Sequence, residues 1–123
     1  MRLRIRLRTP VADTAELRVF IERHLRFAFD RVAPAIRNLT VRLADTNGPR
    51  GGVDKLCLVS VRLVAGGPDI VVSEVDASLP TAVARAADRS SRAVTRALAR
   101  RQRATLAVRR APRRGRRVRV DGR

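Results

Sequence analysis

The chain has 123 residues, and its 28 basic side chains against 11 acidic ones give a formal charge of +17. This length is enough for one domain with one modest core, which must be largely aliphatic because there are three phenylalanines and no tryptophan or tyrosine. The charge favours a polyanionic partner, while the single cysteine excludes an intrachain disulfide and the lack of a long apolar run excludes a transmembrane helix.

The first predicted elements are a strand over 2–8 and a helix over 14–29. In MRLRIRLR, apolar residues alternate with arginine, which is the period of a half-buried strand and is unlike a secretory signal. Asp13, with Glu16 three residues later, predicts the helix start, and Pro34 prevents continuation beyond it. At about 100° per residue, one helix face collects Leu17, Phe20, Ile21, His24, Leu25 and Ala28.

Two further strands are predicted from regular alternation. IRNLTVRLAD places Leu39, Val41 and Leu43 on one face. After the loop TNGPRGG, the segment KLCLVSVRLV is predicted to form a third strand, with Cys57, Val59, Val61 and Leu63 on its more apolar face.

The fourth strand, IVVSEVDA, has a less regular pattern. If Val71 and Val75 point inward, Glu74 and Asp76 point outward. We then expect these carboxylates on the open sheet face, near Arg42 and Arg62.

The last predicted helix begins near Ser78, a capping residue, with Pro80 in its first turn. One arc of about 120° collects small and apolar residues: Leu79, Val83, Ala86, Ala87, Ser90, Val94, Ala97 and Leu98. The opposite arc holds a set that we call the arginine row: Arg85, Arg89, Arg92, Arg96 and Arg100. Arg101 turns back toward the apolar face, so we expect the docked part of the helix to end near it.

The arginine row has two interpretations. A solvated helix face is the ordinary one, but Asp88 is the only acidic residue between 79 and 103, and arginines four residues apart repel each other. Phosphates bound along the row would relieve that repulsion and release counterions. We therefore favour a binding function, and with so few aromatic residues we expect any RNA contact to depend on charge rather than stacking.

The order of these elements predicts an α+β fold. We expect a single β-α-β-β-β-α domain over 1–103, with a four-stranded mixed sheet and two helices packed on one face. Residues 104–123 are rich in arginine, with Pro and Gly, and are predicted to form a flexible, disordered tail. That tail is either a solubilising end or an arm that strengthens RNA binding, and the sequence does not separate the two.

Nothing in the sequence predicts catalysis. His24 has no second ligand at metal spacing and Cys57 falls within a strand, so we interpret both as structural residues. The GPRGG loop lacks the Lys-Ser/Thr ending of a phosphate-binding loop. We expect no enzyme activity, no metal, no cofactor and no small-molecule substrate.

Three stretches resemble the ribosome hibernation-promoting factor family, also called ribosome-associated translation inhibitors. LRIRLRTPVADTAELRVFIERHLRFAFDR is similar to the family's first strand and helix, including the Thr-x-x-Leu/Ile-Arg start at 14–18, and IRNLTVRLAD to its second strand. DASLPTAVARAADRSSRAVTRAL is similar to its last helix, with Arg89, Arg92 and Arg96 at the positions of basic residues. The residues at 78, 80 and 90 depart from that helix pattern.

The resemblance implies a short-form factor that binds the small ribosomal subunit between head and body, in the path of messenger and transfer RNA. Such a cytoplasmic protein would stop translation and preserve idle ribosomes, mostly in stationary phase and under stress. It would be a monomer off the ribosome, with no membrane contact. The implied rRNA-binding residues are the arginine row together with Arg18, Arg23 and Arg26 of the first helix.

Three alternatives remain open from the residues themselves. The first is a general, non-enzymatic RNA- or DNA-binding module, which would spread over free RNA or nucleoid rather than sediment with ribosomes. The second is a small enzyme acting on an anionic substrate, which would need a pocket of convergent titratable groups. The third is a protein that binds an acidic partner protein.

Overall fold

The computed structural model describes residues 5–8, 15–45 and 55–110. The predicted helix-starting Asp13, the first three residues of the predicted opening strand, the GPRGG loop and residues 111–123 lie outside these ranges. The elements are β1 (Ile5–Arg8), α1 (Ala15–Phe29), a 3-10 helix (Asp30–Ala35), β2 (Ile36–Asp45), β3 (Lys55–Leu63), β4 (Ile70–Asp76) and α2 (Leu79–Arg110).

The strands form one sheet in the order β1-β2-β3-β4. β1 runs parallel to β2, with Ile5 opposite Leu39, as expected for two strands joined through a helix. β2, β3 and β4 follow one another as antiparallel neighbours. The predicted α+β class is confirmed.

The core lies between one face of the sheet and the two helices. The predicted inward residues of β2 and β3 are all buried, and they form one cluster with Ile21, Leu25 and Phe29 of α1 and with Val83 and Val94 of α2. The other predicted apolar positions of α1 are partly buried at the edge of this cluster. The predicted faces of β2, β3, α1 and α2 are therefore confirmed.

The predicted phase of β4 is wrong. Val72 is buried, whereas Val71 is 56 % exposed and Val75 is 44 % exposed. Antiparallel pairing explains this result, because directly opposed residues project to the same face of a sheet. Val72 lies opposite Val59 and Glu74 lies opposite Cys57, so the phase of β3 places them on the helix-covered face.

α2 begins as the sequence predicts but continues further. The backbone N–H of Thr81 donates to Ser78 Oγ at 3.4 Å, and Asp76 accepts the backbone N–H of Ser78 at 2.8 Å. All side chains described from 100 to 108 are exposed, so docking of the helix ends where it was expected. The helix itself continues to Arg110, past the predicted tail boundary at 104.

Candidate nucleic-acid interface

The arginine row lies on the solvent-exposed face of α2, beside the edge strand β4 of the sheet. Val83 and Val94, on the opposite face, are buried against the core. Ser90 is also buried there, and its hydroxyl donates to the carbonyl of Ala86 at 2.5 Å, which satisfies its donor within the helix. Burial of this face turns all five arginines of the row toward solvent, and all five are exposed.

The carboxylates of β4 reach the first two arginines of the row. Arg85 Nη1 lies 3.4 Å from Asp76 Oδ1. Arg89 forms an ion pair with Glu74 and also donates to the carbonyl of Ser73 at 3.3 Å. The phase of β4 thus brings two negative charges under the N-terminal half of the row, where the sequence predicted none.

The third arginine is paired within the helix, since Arg92 Nη2 lies 3.1 Å from Oδ2 of Asp88, four residues earlier. The side chains of Arg85, Arg89 and Arg92 remain 58, 59 and 69 % exposed. Exposed pairs of this kind contribute about 0–1 kcal/mol to stability. These three arginines are therefore partly neutralised but accessible to a competing anion.

Unopposed charge is concentrated at the C-terminal end of the row. Among the residues that the structure describes, no carboxylate lies within ion-pair distance of Arg96 or Arg100. Arg103, one turn further along α2, is exposed and has no described ion pair either. The positive potential of the row is thus strongest over its last two members and the turn that follows.

Three of the arginines meet around a shallow depression of about 210 Å³. Its floor contains Val72 of β4 and Ala93 of α2, and its rim is formed by Arg89, Arg92 and Arg96. Several guanidinium groups around one concavity can bind a phosphate through charge-assisted hydrogen bonds. The structure therefore brings together the three residues that the sequence placed at the centre of the row.

The arginines predicted on α1 are exposed as well. Arg26 lines a groove between α1 and α2 that also contains Asp88, the partner of Arg92. Arg18 and Arg23 are exposed elsewhere on α1. The structure thus places Arg26 close to the row's own ion pairs.

Two features of this surface were missed by the sequence interpretation. Phe27 is 87 % exposed, although aromatic side chains usually lie in the core. Arg31, in the 3-10 helix, lines the same groove as Phe27. The helical periodicity left Phe27 outside the predicted apolar face of α1, and this was the one sign in the sequence that its ring is exposed.

The residues interpreted as structural are placed accordingly. His24 packs against Phe20, with ring centroids 4.5 Å apart. Cys57 is buried in β3, and burial raises the pKa of its thiol to about 12, which keeps it protonated and unreactive. In the described ranges, no group of three or more His, Cys, Asp or Glu residues could hold a metal ion.

No protein-family model and no curated protein matches the chain. Solved structures do match. The crystal structure of the Thermus thermophilus Protein Y N-terminal domain superposes with a TM-score of 0.60 at 23 % identity, over 78 % of this chain and 98 % of that one. The chain shares this fold. A ribosomal subunit interface protein from Coxiella burnetii gives a TM-score of 0.62 at 16 % identity, over 77 % of this chain and 97 % of that one.

Both structures represent the family that the sequence resembles, so the predicted resemblance is confirmed at the level of the fold. Both matches extend over nearly the whole of the known domain. Within the described ranges, no helix is long and apolar enough to cross a bilayer.

Proposed function

We propose that this protein binds the small ribosomal subunit in the channel used by messenger and transfer RNA, and that it inhibits translation there without catalysing a reaction. The observation that carries the proposal is the exposed arginine row on a domain whose fold is shared with a ribosomal subunit interface protein. Contacts to rRNA phosphates would position the domain, and the shape of the channel would supply specificity.

The ion pairs of the row set the order of contributions. Arg96 and Arg100 have no described ion pair, so they can bind phosphate without first releasing a carboxylate. Arg89 and Arg92 share the depression with Arg96 but must exchange a carboxylate for a phosphate. Arg85 lies at the far end over Asp76 and contributes least.

Co-sedimentation with purified small subunits tests the proposal. We expect the chain to pellet with small subunits and not with large ones. Small subunits that already carry messenger and transfer RNA should bind less of it. Cell-free translation should fall in proportion to the small subunits occupied. Equal pelleting with both subunits, or with naked RNA of unrelated sequence, would instead indicate a general nucleic-acid-binding module.

A further inference from the structure

Phe27 is the aromatic side chain of this protein that faces solvent. Phe29 is fully buried, and Phe20 is partly buried against the core. Phe27, between them in sequence, is 87 % exposed, and its position on α1 gives it no share of the core. Its ring face is therefore available to a ligand.

The surroundings of Phe27 form a concave site. A groove of about 880 Å³ runs between α1 and α2 beside the ring, within the range of sites that hold a nucleotide-sized ligand. Ala28, Ala84 and Ala87 line part of it, and such small side chains leave room for a flat ring. Ser91 supplies a hydroxyl at the α2 wall.

Two arginines, Arg26 and Arg31, and two aspartates, Asp30 and Asp88, line the groove, so a preference for a polyanion comes from the arginine row beside it and from the charge of the whole chain. Arg31 lines the groove and has no ion pair with any carboxylate in the described ranges. Asp88, on the opposite wall, is already paired with Arg92 of the arginine row, so the row borders the groove on that side. The chain as a whole carries +17. One aromatic ring among alanines offers too little apolar surface to bind a protein helix. The same ring is large enough to stack on one base whose flanking phosphates contact the arginines.

We propose that Phe27 is a stacking platform for an unpaired nucleobase of single-stranded RNA, with the flanking phosphates bound by Arg31 on one side and by the arginine row on the other. The proposal rests on the RNA-binding function proposed above and adds a base contact to it. Stacking on one ring tolerates any of the four bases, because each has a π-face. A base stacked on Phe27 would revise the expectation that RNA contact depends on charge alone.

The absence of tryptophan and tyrosine from the sequence permits a direct test. Phe27→Trp introduces a single indole at the proposed platform. The matched control is Val71→Trp, which places the indole at a 56 % exposed position of β4, on the sheet face that the helices leave open. Both variants are titrated with a fluorescently labelled single-stranded RNA of about twelve nucleotides, and separately with inorganic polyphosphate. Anisotropy of the label reports RNA binding, while indole emission reports stacking.

We expect the emission of Phe27→Trp to be quenched by RNA in step with the anisotropy and to be unchanged by polyphosphate, and the emission of Val71→Trp to be unchanged by both. Anisotropy that reports binding without quenching of Phe27→Trp would overturn the base contact and leave RNA binding intact. Equal quenching by polyphosphate would overturn it too. Absence of any anisotropy change would overturn this proposal, whereas the proposed function is tested separately by pelleting with small subunits.

Substitutions at Phe27 measure the contribution of the ring. Phe27→Ala should weaken binding of the same RNA by about five-fold or more, the effect of removing one stacked aromatic. Phe27→Leu retains apolar surface but lacks a π-face, and it should be almost as weak, whereas Phe27→Tyr should bind like the unmodified protein. Full affinity of Phe27→Leu would show an apolar contact instead and overturn stacking. Because the side chain is exposed, none of these changes disturbs the core.

Discussion

At the scale of single residues, the arginines of the row differ in what they face. Glu74 lies against Arg89, while Arg96 and Arg100 face solvent without a described carboxylate. A guanidinium that already has a carboxylate partner must release it before it binds phosphate fully. The local balance of charge, and not the number of arginines, therefore decides how strongly each position attracts RNA.

Glu74→Gln tests this balance directly. The change removes the carboxylate beneath Arg89 and leaves a side chain of similar size. We expect RNA affinity to rise a few-fold at low salt, and the gain to shrink as salt screens the added charge. Thermal unfolding should report a loss of stability of no more than about 1 kcal/mol. Unchanged or weaker RNA binding, measured by anisotropy, would mean that Glu74 does not oppose the ligand.

The thiol of Cys57 gives a second prediction at this scale. Burial raises its pKa to about 12, so at pH 9 the folded protein holds it as a thiol while the unfolded chain ionises it substantially. We expect iodoacetamide to modify Cys57 slowly in the native protein at pH 9 and rapidly in denaturant. The free energy of unfolding should fall as pH rises from about 9 toward 12, because the folded protein holds the thiol proton that the unfolded chain releases.

Rapid alkylation of the native protein at pH 9 would contradict the burial of the Cys57 thiol in β3. A Cys57→Ala variant is the control for the pH dependence, since it should lose less stability across the same interval. Its overall stability will be lower, because the smaller side chain leaves a cavity in the core.

At the scale of elements, α2 is tied to the sheet at both ends of its docked part. The N-terminal end is attached to β4 through the cap at Ser78 and the pairs of Arg85 and Arg89. At the other end, Arg101 donates to the carbonyls of Ala65 and Gly66 in the turn between β3 and β4, at 3.3 and 2.7 Å. These contacts join residues about 35 positions apart in sequence.

Arg101→Ala should therefore destabilise the domain. We expect a loss of about 0.5–1.5 kcal/mol, the range for a net hydrogen bond, in chemical denaturation. Arg103→Ala is the matched control, since Arg103 is exposed on the same helix without a described ion pair or hydrogen bond, and it should change stability little. Equal stability of the two variants would show that the turn does not depend on Arg101.

The elements with regular patterns were predictable, and those that depend on pairing were not. Alternation in β2, the more apolar face of β3 and the apolar arc of α2 identified the buried faces, because in each of these elements one face is clearly more apolar than the other. IVVSEVD has valines on both faces, so its phase was decided by the pairing of Val72 with Val59, which the sequence does not show. The ion pairs beneath the arginine row follow from that phase and were missed for the same reason.

The end of α2 was missed for a different reason. Residues 104–110 lack an apolar face, so they were assigned to the tail, yet ATLAVRR contains mostly residues that a helix accepts. Phe27 was missed as a site residue because, with only three phenylalanines in the chain, any RNA contact was expected to depend on charge rather than stacking. The spacing of the arginines predicted which residues form the row. Their ion pairs with β4 and the exposed ring of Phe27 nearby could be seen only in the folded structure.

At the scale of the whole molecule, the charge of +17 acts together with the one-sided placement of the row. If four arginines of the row each neutralise one phosphate of single-stranded RNA, the logarithm of the binding constant should fall with the logarithm of salt concentration with a slope of about −3. Reversal of Arg96 and Arg100 to Glu should flatten this slope by more than one unit. A slope near zero would exclude phosphate contacts as the source of affinity.

The most direct test of the proposed function is pelleting of two charge-matched double variants with purified small ribosomal subunits. Arg96→Glu with Arg100→Glu removes the unopposed part of the row. Arg37→Glu with Arg42→Glu makes the same change in net charge on β2, at exposed positions without a described ion pair. Circular dichroism should show both variants folded. We expect the α2 variant to remain in the supernatant and the β2 variant to pellet like the unmodified protein; equal pelleting of the two variants would contradict a ribosome contact through the arginine row.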